Sequence, residues 1–114
     1  MPDKRRVYIA GPMRGYPRFN FPLFDAVTQV WRRIGWDVVS PAEADRNLDG
    51  LDPENPQPNR TFAFYMRRDI EFLLTVDAVA FLPAWEKSEG ANIERTVAKA
   101  LGLELYDAIS GDPL

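Results

Sequence analysis

The run Ala78-Val79-Ala80-Phe81-Leu82 is apolar at every position and is bounded by Asp77 and Pro83. It is too short for a stable helix, and its lack of polar alternation means that neither face of the segment meets water. A strand of that kind needs cover on both sides. In a chain of 114 residues, the economical source of that cover is helices packed on the two faces of a parallel sheet.

The remaining segments supply the partners. Val7 to Ala10 is a short β-prone run closed by Gly11-Pro12. Phe24, Val27, Trp31 and Ile34 recur at helical spacing, predicting a helix over 21–34 with Asn20 as N-cap, Pro22 in the first turn and Gly35 at the end. Trp36 to Val39 reads as a second strand, stopped by Ser40-Pro41. A long proline-rich connection is expected over 41–60, and a second helix over about 61–75. Asp77 to Leu82 is the third strand, a third helix runs from Gly90 to Leu101, and Leu103 to Tyr106 forms a last strand. The tail from Ser110 is expected to fray. This alternation predicts one α/β domain over 1–114: a small doubly wound parallel sheet of four to five strands with helices on both faces. Ligands of such sheets bind beyond the carboxyl ends of the strands, which points to the loops 11–20, 41–60 and 83–90.

Composition narrows the chemistry. The chain has no cysteine and no histidine, which removes thiolate nucleophiles, disulfides, the usual general base and the commonest metal ligands. Acid–base work therefore falls to Asp, Glu, Lys or Tyr. A net charge of −3 argues against coating a nucleic acid polymer. No apolar run approaches the roughly 20 residues that span a bilayer. The amino terminus lacks the apolar stretch of a signal peptide, so a cytoplasmic location is expected.

Two acids stand on apolar helical stripes. Glu94 shares a face with Val97, Ala98 and Leu101, and Asp69 shares one with Tyr65, Phe72 or Leu73, and Val76. A buried carboxylate is costly unless it is paired or used. Each also has an ordinary reading, Glu94 at the edge of its stripe and Asp69 paired with the flanking Arg67 or Arg68. Two such acids approaching one strand end can divide labour, one as nucleophile and the other as proton carrier. Asp77 opens the third strand. Gly11, Met13, Arg14 and Gly15 follow the first strand, with glycines that admit a ligand near the backbone and a guanidinium suited to phosphate. Ser88 and Gly90 lie at a helix start that favours an anion. Phe19, Phe21 and Trp85 can stack on a base or serve as core. Neither a dinucleotide-binding glycine motif nor a P-loop is present.

In order, Val7-Tyr8-Ile9-Ala10-Gly11-Pro12-Met13-Arg14-Gly15, then Arg68-Asp69-Ile70-Glu71-Phe72-Leu73 with Asp77-Ala78-Val79-Ala80, then Ser88-Glu89-Gly90-Ala91-Asn92-Ile93-Glu94 resemble the motifs of the nucleoside 2-deoxyribosyltransferase superfamily. The likeness is closest to its branch of 2′-deoxynucleoside 5′-monophosphate N-glycosidases. The resemblance covers about residues 7–106 and implies a flavodoxin-like version of the sheet. It further implies Glu94 as nucleophile at C1′ of a deoxyribose, Tyr8 holding that carboxylate, and Asp69 assisting proton transfer to the departing base. Ser88, Arg14 and the glycine-rich loop would hold a 5′-phosphate, with Gly11, Met13, Gly15, Gly90, Asp77 and Trp85 completing the substrate site. No cofactor and no metal are implied; the partner is a nucleoside or nucleotide, and a homodimer or larger homo-oligomer is expected. A non-catalytic nucleotide-binding or sensing module is the alternative on the same scaffold.

Overall fold

The computed structural model describes residues 4–51 and 59–114. Four strands, β1 (Arg6–Ala10), β2 (Asp37–Val39), β3 (Ala78–Phe81) and β4 (Glu104–Asp107), form one sheet in the order β2-β1-β3-β4. Every neighbouring pair is parallel, with Tyr8 of β1 in register with Val39 and Val79, and Val79 with Leu105. The helices are α1 (Phe21–Arg33), α2 (Pro41–Asp49), α3 (Phe62–Leu73) and α4 (Glu89–Ala100). This is the doubly wound α/β arrangement expected from the alternation, in the flavodoxin-like version that the family resemblance implies.

The strand period of two explains the two core layers. Val7, Ile9, Ala78 and Ala80 point to one face, where Phe24, Val27 and Trp31 of α1 and Ala42 of α2 cover them. Tyr8, Ala10, Val79 and Phe81 point to the other, against Ile70, Phe72 and Leu73 of α3 and Ala98 of α4. All four residues of β3 are buried, as a strand covered on both sides must be.

Two expectations about connections need correction. Residues 41–49 are helical rather than loop. Ser40 sits at the N-cap and accepts from the Glu43 amide, Pro41 occupies the first turn where its missing N–H costs nothing, and Gly50 closes the end at φ 68°. The serine and glutamate three residues apart are a helix-start signature that the surrounding prolines and acids obscure. The rest of the proline-rich stretch, 52–58, lies outside the described residues. The tail does not fray either: the Leu114 amide donates to the Leu105 carbonyl at 2.9 Å and the Asp107 amide to Asp112 at 2.8 Å. It lies along β4, whose outer edge would otherwise be unpaired.

At the carboxyl end of β1, chain spacing is set by one glycine. A Cβ at Gly11 would stand 2.7 Å from the Leu82 Cβ, a contact that the packed core cannot absorb without moving a strand end. Gly11→Ala is therefore expected to lower the unfolding free energy by about 1–3 kcal/mol, measured by urea denaturation. An unchanged midpoint would mean that the two strand ends separate freely.

Candidate active site

Beyond the carboxyl ends of β1, β2 and β3 lies a cleft of about 480 Å³, within the usual size for a small-molecule site. Its floor is polar. Tyr8 reaches it from β1, Glu94 from the second turn of α4, Asp69 from α3 and Asp45 from α2. Its walls include Met13, Phe19, Phe21, Phe24, Leu51, Phe62, Tyr65 and Met66.

The closest pairing on the floor is between Tyr8 and Glu94. The tyrosine is fully buried and Glu94 is 4% exposed, and the Tyr8 hydroxyl donates to Glu94 Oε2 at 2.5 Å. The buried face of α4 consists of Ala91, Glu94 and Ala98. Small neighbours above and below the carboxylate let the helix lie close to the sheet, while Leu101, expected on the same stripe, is exposed. Asp69 has Oδ1 buried without a hydrogen-bond partner. Its neighbour Arg68 makes no hydrogen bond to it. Arg68 instead donates to Asp45 Oδ1 at 2.6 Å and to both carboxylate oxygens of Asp49, at 3.1 and 2.9 Å. The guanidinium thereby ties α3 to α2.

Burial disfavours charge on these acids. It lifts Glu94 well above its ordinary 4.5, with the nearby Asp69 adding to the rise and the Tyr8 hydroxyl opposing it. Burial also pushes Asp69 up to about 7, helped by the charge of Asp45 and countered by Arg68 and Tyr8. Asp45 rises to about 6 for the same first reason, with Arg68 pulling it back. The Tyr8 hydroxyl is held well above 10.0, by burial and then by Asp69 and Glu94, and so remains a donor. Two ionised carboxylates in so little water repel each other, so charge on Glu94 favours a proton on Asp69 and the reverse.

At the mouth, Arg14 is exposed with its guanidinium 4.7 Å from the Phe62 ring centre. Ser88 caps α4, its Oγ accepting from the Ala91 amide at 3.1 Å, and Lys87, Glu89 and Gly90 line the same stretch. A side chain at Gly90 would meet Met66 Sδ at 3.4 Å, so the glycine lets α3 and α4 approach at the rim. Phe19 lines the cleft from a backbone of positive φ that it shares with Arg18 and Asn20. Asn20 stands at the N-cap of α1, yet its side chain donates to the Pro12 carbonyl at 2.9 Å rather than capping. That bond ties this loop to the one after β1. Among the described residues, no group of three or more acids is arranged to hold a metal ion.

Three residues expected here lie elsewhere. Asp77 is at the amino-terminal end of β3, accepting from the Arg6 amide at 2.9 Å, at the far end of the sheet. Trp85 turns away from the cleft to pack on Phe81, with ring centres 5.1 Å apart, and under Arg95. Gly15 has φ 81° in an exposed turn and does not line the cleft. Conversely, Asp45 was not anticipated; the available signal was the Ser40/Glu43 helix start, which places Ala42 and Asp45 on one buried helical face.

Comparisons with known proteins agree with this architecture. A family model described as a domain of unknown function, DUF4406, matches residues 5–107. No curated protein matches the chain. Among solved structures, a 2-desoxiribosyltransferase from Leishmania mexicana superposes with a TM-score of 0.63 at 19% sequence identity, over 90% of this chain and 63% of that one. The chain spans less than two thirds of that enzyme's length, and the likeness is one of fold. The chain belongs to the DUF4406 family and carries the fold of the nucleoside 2-deoxyribosyltransferases.

Proposed function

We propose that the cleft cleaves the N-glycosidic bond of a 2′-deoxynucleoside or its 5′-monophosphate, with Glu94 as nucleophile. The observation that carries this reading is the buried Glu94 carboxyl, bonded to Tyr8 in a cleft that it shares with Asp69. In the reactive form the Tyr8 hydrogen bond favours charge on Glu94, and the proton resides on Asp69. Glu94 attacks C1′, the bond from C1′ to the base nitrogen breaks, and the Asp69 proton passes to the base as it leaves. A deoxyribosyl ester of Glu94 remains. Water, or a second base, then attacks C1′ and regenerates the carboxylate, returning a proton to Asp69. A 2′-deoxy sugar suits this step, since the missing hydroxyl eases positive charge at C1′. Arg14 and the amino-terminal turn of α4 supply donors for a 5′-phosphate.

Incubation with deoxynucleosides and their monophosphates, followed by chromatography of free base, tests the proposal. Glu94→Gln is expected to reduce release by about a thousandfold or more. Asp69→Asn should lose most against natural bases and least against a leaving group that departs without a proton. Substrate-dependent thermal stabilisation of the wild type without any release would point instead to a nucleotide-sensing module.

The proton held by the floor also makes folding depend on pH. Asp69 rises from 3.8 to about 7 on folding, so within that window the folded chain binds a proton that the unfolded chain has released. Stability from this group is therefore greatest at the acid end and falls as the pH rises to about 7. Thermal denaturation across a pH series should show Asp69→Asn more stable than the wild type at neutral pH, with a flatter acid-to-neutral slope. Identical slopes would mean that Asp69 does not hold the proton.

A further inference from the structure

Asp45 is the third acid of the cleft floor, and the reaction outlined above gives it no task. It lies on α2, 7% exposed, and lines the same cleft as Glu94 and Asp69. Arg68 bonds its Oδ1 at 2.6 Å, while Oδ2 has no hydrogen-bond partner among the described residues. Arg68 divides its donors between Asp45 and Asp49, so it fixes the carboxylate plane without covering both oxygens.

We propose that Asp45 reads the departing base, accepting a hydrogen bond from an exocyclic amino group, so that the substrates are deoxyribosides of amino-bearing bases. The inference rests on the glycosidic reading of the cleft and names the substrate class within it. Its first support is the order of the helices. Arg68 ties α3 to Asp45 and Asp49 of α2, and on its other side α3 meets α4, where a side chain at Gly90 would stand 3.4 Å from Met66 Sδ. The helix of Asp69 thus stands between those of Asp45 and Glu94. A deoxyriboside presents C1′, the glycosidic nitrogen and the far edge of the base in that sequence, matching Glu94, Asp69 and Asp45.

The second support is chemical. With Asp45 lifted only to about 6, it is ionised near neutral pH and can only accept. An amino group satisfies that oxygen. A base carbonyl in the same place would set oxygen against oxygen and leave a desolvated carboxylate unpaired, a penalty that separates otherwise isosteric substrates. Phe21 and Leu51, which also line the cleft, offer apolar contact for the faces of a planar ring.

The experiment compares base release from 2′-deoxyadenosine with 2′-deoxyinosine, and from 2′-deoxycytidine with 2′-deoxyuridine, each as nucleoside and as 5′-monophosphate, near neutral pH. The wild type is expected to favour the amino member of each pair by at least about tenfold in kcat/KM. In Asp45→Asn the amide oxygen faces Arg68 and the amide nitrogen becomes a donor, so the preference should collapse or reverse. Equal rates within both pairs, or a preference for the oxo members, overturn the inference while leaving the glycosidic reading intact. No release from any substrate overturns both. The wild-type ratios decide the matter even if the variant folds poorly. A folded Asp45→Asn with unchanged ratios would assign Asp45 to holding α2 alone.

Discussion

A carboxylic acid buried at the end of a parallel sheet is tolerated only if something holds it, and here the Tyr8 hydroxyl does so. That bond sets demands on the rest of the molecule. Tyr8 must come from an interior strand, so that its ring is packed and its hydroxyl alone reaches the cleft; β1 lies between β2 and β3. Glu94 must come from a helix that can lie close to the sheet, and Ala91 and Ala98 on either side of it are both buried. Gly11 then brings the end of β1 close to Leu82. Strand order, helix composition and one glycine thus converge on the placement of two side chains.

The second organising contact is the Arg68 guanidinium between α2 and α3. Its side chain is 13% exposed, and those of its partners Asp45 and Asp49 are 11% and 3% exposed. A pair so screened from water differs from the surface bridges Arg6–Asp37 and Arg5–Glu104, whose partners are about half exposed and contribute little. Removing Arg68 would strand two acids, whereas removing a surface partner leaves a solvated ion. By engaging α2, Arg68 acts on Asp69 only through its charge and not through a hydrogen bond. Asp69 can then carry a proton at a pH where an ordinary aspartate cannot.

Most of the fold was legible because its signals are local. The continuous apolar run at 78–82 and the helical spacing of Phe24, Val27 and Trp31 are properties of neighbouring residues, and the strands and helices they predict are present. The helix at 41–49 was hidden because its buried face offers only Pro41, Ala42 and Asp45, so apolar periodicity is nearly absent and only the capping residues mark it. Helical spacing from the Ser40 cap puts Asp45 on the buried face, but its partner Arg68 lies on another helix, and no spacing rule connects the two. Asp77 opens a parallel strand, and a residue there stands at the end opposite the loops where ligands of such sheets bind. Trp85 lies in a ligand loop, but which way its ring turns is decided by Phe81 and Arg95, beyond the reach of a pattern.

The energetic balance of the cleft argues that its acids are kept for a use. Glu94, Asp69 and Asp45 are all raised by burial, and Arg68 is the cation that acts on two of them. A scaffold selected only for stability would replace such a cluster with apolar side chains of similar volume, commonly at no cost and sometimes with a gain. The surrounding layers of Val, Ile, Phe and Ala show that the chain packs apolar residues readily where nothing else is required. Buried acids gathered at one cleft, beside core layers that are apolar apart from Thr28, are the pattern expected when activity and stability compete for the same positions. The cluster also sits beyond the carboxyl ends of the strands, where a doubly wound sheet leaves its ligand crevice. Chemistry and topology point independently to the same cleft as the candidate site.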